Sequence, residues 1–135
     1  MSNKTATLSM KLTFDGLGGQ SVTPPSIVVA APFQALSTGI IDVPDTEASA
    51  TVHAIPFGSI GTGATLALFV NKTGQDLALK VNGEGASPVK IPANGAVCFA
   101  CAALSAVPVT ALSLATTATQ SGQGSIEFYL MGDPV

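Results

Sequence analysis

Arginine and tryptophan are absent from this 135-residue sequence, and tyrosine and histidine occur once each, as Tyr129 and His53. Only 10% of the residues are charged, against about 25% in an ordinary soluble domain. The five cations are all lysines (Lys4, Lys11, Lys72, Lys80 and Lys90), they are scattered, and the net charge is −3. Nucleic-acid recognition needs a basic face and favours arginine for bidentate contacts to bases and phosphates, so direct nucleic-acid binding is not expected. With no tryptophan and one tyrosine, stacking platforms for sugars or bases are scarce. Two cysteines are too few for a disulfide framework. The longest apolar stretch, residues 96–104, falls well short of the ~20 residues a membrane helix requires. Met1–Thr5 leads into alternation instead of the apolar core of a secretory signal, so a soluble protein made in a cytoplasm is expected.

What is present is short strand after short strand. Thr5 to Phe14 alternates with period two, placing Ala6, Leu8, Met10, Leu12 and Phe14 on one face. Asp15–Gln20 reads as a flexible loop, closed stiffly by Pro24-Pro25. Ser26–Leu36 is an apolar strand interrupted at Pro32, Gly39–Val43 is a short strand, and Ala48–Ile55 alternates again. Gly58–Gly63 reads as a loop. Ala64–Val70 and Leu77–Val81 flank the turn Asn71–Asp76 and suggest a hairpin. Pro88–Ile91, Ala96–Leu104, Val109–Leu114 and Ser125–Met131 complete the series, with Thr116–Gln123 a polar loop. About nine short strands with turn signals every 8–12 residues and no convincing helix predict one antiparallel β-sandwich domain over 1–135, with terminal arms at 1–4 and 132–135.

Candidate chemistry is thin. Cys98 and Cys101 form a C-x-x-C spacing, but inside a strand such residues face opposite ways about 10 Å apart, beyond disulfide reach. Two buried thiols are the expectation. His53 would need an aspartate, with Asp42 and Asp45 close in sequence, and an activated serine, yet no Gly-x-Ser-x-Gly elbow occurs. Asp42, Asp45 and Glu47 cluster as a weak Ca²⁺ site would, or as a solvated turn, which is the expectation. Gly58–Gly63 lacks the Gly-Lys-Ser/Thr ending of a phosphate loop. The reading is of a non-enzymatic protein without cofactor or metal. A surface this poor in charge leaves strand edges undefended, and such surfaces belong in assemblies.

A resemblance adds to this. The segments Phe69-Val70-Asn71-Lys72-Thr73-Gly74-Gln75-Asp76-Leu77, Ile91-Pro92-Ala93-Asn94-Gly95, Val107–Leu114 and Ile126-Glu127-Phe128-Tyr129-Leu130, spread over about half of the chain, resemble small accessory proteins of tailed-bacteriophage virions. The resemblance implies a jelly-roll capsid decoration, or cement, protein. It would sit on the outside of a major capsid shell as a dimer or trimer and be made in the bacterial host cytoplasm. The expected contacts with itself and with the capsid protein lie on loops and termini: Met1, Lys4, Asp15, Leu17, Gln20, Pro24, Phe33, Phe57, Ile60 and Val135. The alternative is a virion fibre or tail-associated module that binds a receptor or glycan.

Overall fold

The computed structural model describes residues 4–10, 14–17, 20–22, 27–83, 89–101 and 107–134. Among them are twelve strands and no α-helix: β1 (Lys4–Met10), β2 (Phe14–Leu17), β3 (Gln20–Val22), β4 (Ile27–Phe33), β5 (Ala35–Val43), β6 (Val52–Ala54), β7 (Ile60–Lys72), β8 (Leu77–Val81), β9 (Lys90–Ile91), β10 (Ala96–Ala100), β11 (Leu112–Thr116) and β12 (Gly124–Pro134).

The last eight strands build two four-stranded antiparallel sheets, ordered β10-β7-β12-β5 and β6-β11-β8-β9. The pairing is nested. β5 pairs with β12, β6 with β11, β7 with β10 and β8 with β9, while β7–β12 and β8–β11 join the pairs side by side. This is the order obtained by folding one long hairpin over on itself, a jelly roll. The β-sandwich expected from strand spacing, and the jelly roll implied by the resemblance, are both present.

The core lies between the sheets. β7 sends Ala67 and Phe69 inward, β12 sends Ile126, Phe128 and Leu130, β8 sends Leu77, Leu79 and Val81, and β11 sends Leu112 and Leu114. Phe69, Leu77, Leu79, Ile91, Leu112, Leu114, Ile126 and Leu130 are all essentially inaccessible. Each such side chain stabilises the fold by roughly 1.5–3 kcal/mol through burial.

The expected hairpin of β7 and β8 does not exist. The two strands lie in different sheets, so the turn between them is an arch. Asn71 explains the crossing. Its buried amide donates to the carbonyls of Gln75, Ile91 and Pro92, its Oδ1 accepts from the Thr73 backbone N–H and hydroxyl, and its own N–H donates to Gly95. Those bonds tie β7 to the turn that precedes β10 and leave no ladder for β8 to join. Gln120 closes the arch from the far side, donating to the Thr73 carbonyl at 2.7 Å while its side-chain oxygen accepts from Gln75.

Other expectations are revised. Asp15–Gln20 is not a plain loop, since β2 and β3 pair there. Ile60 opens β7, so the expected Gly58–Gly63 loop is strand from Ile60 onward. Residues 132–134, expected as an arm, continue β12 through two register shifts, with Gly132 opposite Ala64 and Pro134 opposite Ile60. The expected strand Ala48–Ile55 is strand only over Val52–Ala54, because the preceding stretch turns twice and bonds to the end of β11 and the loop beyond it: Ala50 N–H to the Thr116 carbonyl, and Thr46 N–H to the Gln120 carbonyl. Ala48, Ser49 and Ala50 have too little side chain to reward a ladder by packing.

β1 and β4 form a separate antiparallel ladder from Lys4↔Phe33 to Met10↔Ile27, with β2–β3 between them in sequence. The alternating Ala6, Leu8 and Met10 stand opposite Ala31, Val29 and Ile27. β4 passes through Gln34 directly into β5, and the Gln34 N–H donates to the Gly132 carbonyl.

Candidate interaction surface

The register of the β10-β7-β12-β5 sheet fixes which side chains share its outer face. Across the strands run Thr38, Tyr129, Leu68 and Cys98 in one row, and Ile40, Glu127, Val70 and Ala96 in the next. Leu36, Met131, Leu66 and Ala100 form a further row, and Asp42, Ser125 and Lys72 the last. Ile40 is 67% exposed, Leu36 48% and Tyr129 39%. Met131 and Leu66 are buried, and β4 approaches both of their strands.

Charge on this face is confined to one end. The Lys72 ammonium contacts Glu127 Oε1 at 2.7 Å, and that hydrogen bond and attraction raise the lysine pKa. Asp42 stands on the same side at the edge strand. The remaining rows are apolar or hydroxylic. Thr38 turns its hydroxyl to the Phe128 carbonyl at 2.9 Å, so even that polar group is partly occupied.

The sheet edges differ sharply. β6 has three residues and β9 two, lengths that give an incoming strand little to pair with. β10 has five. β5 has nine, Ala35 to Val43, with no proline, no lysine and one charge. Proteins shield edges with short strands, charges, prolines or bulges, and β5 carries none of these over most of its length.

The residues weighed for chemistry fall as follows. His53 is opposite Leu114 on the inner side of β6, and its Nε2 lies 2.6 Å from Glu47 Oε1. It is mostly buried. Asp42 and Asp45, the sequence neighbours considered for it, are not its partner; Asp45 Oδ1 accepts the Gly122 N–H. The His53–Glu47 pair fastens the loop 44–51, in which Thr46 and Ala50 have positive φ. Among the described residues no group of three or more histidine, cysteine or acidic side chains is placed to hold a metal ion.

Cys98 is half-exposed on the outer face and Cys101 is fully buried in the core just past β10; both are free thiols. Burial raises the pKa of each. Cys101 reaches about 11, pushed up by burial first and by neighbouring Cys98 second.

Of the ten contact residues expected from loops and termini, Met1, Pro24 and Val135 lie outside the described residues. Lys4, Asp15, Leu17, Gln20 and Phe33 belong to β1–β4. Ile60 is buried in the core, and Phe57 packs against it. Neither fits an exposed anchor, because the Gly58-Ser59 turn brings the chain back over the sandwich and Ile60 N–H bonds the Phe57 carbonyl. The exposed apolar side chains Leu36, Ile40 and Tyr129 were missed. The signal available was period two in Ala35–Val43, hidden by the small residues around Gly39.

Comparison with family models, with curated proteins and with solved structures found no match.

Proposed function

We propose that this protein is a structural subunit that decorates a larger protein shell, in the manner of the phage capsid decoration proteins its C-terminal half resembles. The observation that supports this reading most is the outer face of the β10-β7-β12-β5 sheet. It leaves Leu36, Ile40 and Tyr129 in water on a chain with 10% charged residues. Apolar surface rimmed by polar residues marks sites that neighbours cover. Aromatic side chains such as Tyr129 are favoured at such contacts.

The mechanism is mass action. A subunit that binds the assembled shell and not its loose parts lowers the free energy of the shell by RT ln(1 + [L]/Kd) per site. Repetition over many equivalent sites multiplies the effect without any single contact being strong.

The test is immunogold labelling with antiserum against the purified protein, on particles recovered from cells that produce it. Gold over the shell is expected. Gold confined to tails or fibres, together with binding to a glycan array, would favour the receptor-binding alternative. Particles without label would remove the assembly role.

A further inference from the structure

We propose that β5 is a homodimerisation edge, pairing antiparallel with β5 of a second copy about a two-fold axis at Thr38. This deepens the assembly reading above by naming the surface through which copies meet.

Three observations carry it. β5 is the longest of the four sheet edges, at nine residues against five, three and two. Among the described residues its ladder partner is β12 alone, and β5 stands at the end of the sheet order. Leu36 and Ile40, two of the chain's exposed large hydrophobic residues, lie on this strand and on the same face.

The occupant follows from the symmetry of that pattern. Leu36 and Ile40 are each two residues from Thr38. A two-fold axis there sets Leu36 opposite Ile40 of the other copy, Ile40 opposite its Leu36, and Thr38 opposite Thr38. Apolar cross-strand pairs of this kind are what stabilise a sheet. The same register sets Asp42 opposite Gln34, an uncharged amide, so no like charges meet. A two-fold contact uses one patch twice and must be self-complementary, which this strand is. Pairing extends the sheet from four strands to eight and satisfies the outward N–H and C=O groups of both edges.

The size of the contact sets its strength. Nine residues make a ladder about 30 Å long. An edge roughly 10 Å thick then covers about 300 Å² per copy, below the ~600 Å² per partner of a small stable interface. The dimer is therefore concentration-dependent in solution and firm when copies are held close on a scaffold.

Sedimentation velocity across a concentration series should show a monomer–dimer equilibrium. Ile40→Lys, at an exposed position, should weaken it at least tenfold while leaving the thermal melt in place. In a Cys98→Ser background, Thr38→Cys should yield a disulfide-linked dimer on mild oxidation, since directly opposed Cα atoms stand about 4.5–5.5 Å apart. Leu36→Cys alone should not, because its own counterpart is four residues out of register. A chain that stays monomeric at millimolar concentration, a dimer indifferent to Ile40→Lys, or cross-linking through Leu36→Cys but not Thr38→Cys would each overturn the proposal. A monomer that still labels shells would remove the β5 dimer and leave the decorating role. A β5 dimer found on no particle would do the reverse.

Discussion

Replacing Asn71 by alanine would remove the Oδ1 that accepts the buried Thr73 N–H and the amide that donates to Gln75, Ile91 and Pro92, although the Gln75 and Pro92 carbonyls keep the Thr73 hydroxyl and the Gly95 N–H as donors. A buried group left without its partner costs about 1–3 kcal/mol, so a loss of about that size is expected, read as a lower urea midpoint. That is a large fraction of the ~5–15 kcal/mol by which a domain is stable. Val70-Asn71 and Ile91-Pro92-Ala93-Asn94-Gly95 are the two ends of this clamp. Their spacing is explained by the arch they hold. Cys101 supports a second expectation at this scale. Its folded-state pKa, about 11, lies above the ordinary 9.0. The thiol's contribution to stability is thus complete below pH 9 and is lost as pH rises through about 11. Denaturation curves between pH 8 and 11 should fall more steeply for the wild type than for Cys101→Ala.

Among the elements, β12 is the hinge of the design, since it pairs with β7 on one side and β5 on the other. Its bulge at Gly132 depends on a missing side chain. A Cβ there would stand 2.5 Å from the Gly63 carbonyl and 2.9 Å from Ile60 Cγ2. Gly132→Ala should destabilise by about 2–4 kcal/mol, because backbone cannot move aside as a flexible side chain can. Gly39→Ala is the comparison. Its Cβ would meet the Phe128 ring at 3.1 Å, which a small ring shift relieves, so a smaller loss is expected in the same unfolding assay. Strand existence was legible from period two and turn residues, as Leu77–Val81 illustrates. Strand partnership was not. The turn Asn71–Asp76 has the composition of a hairpin loop and serves as an arch, because the strand that claims β7 comes from residues 124–134, far away in sequence.

At the scale of the molecule, the eight strands from β5 to β12 form both four-stranded sheets, and among the described residues β1–β4 ladder with one another and with none of those eight. A chain beginning at Gln34 should therefore fold cooperatively, with an unfolding free energy within about 1–2 kcal/mol of the full protein by urea titration. A two-stranded ribbon adds little stability by itself. Loss of folding in that truncated chain would show that the first 33 residues complete the sandwich. The pairing of β5 with β12 joins residues as far apart as Ala35 and Gly132, and such non-local closure makes the jelly roll a slow folder compared with helical proteins of its length.

Composition and period-two patterning determined by themselves that this chain is strand-built and lightly charged. Those properties are local and additive, so a linear string contains them. Which strands pair, that Ile60 goes inside while Ile40 stays in water, that His53 meets Glu47, and that β5 is left as the long open edge were decided only by tertiary structure. Each depends on which distant segment arrives alongside, and the nested pairing of the jelly roll settles that for the whole chain at once.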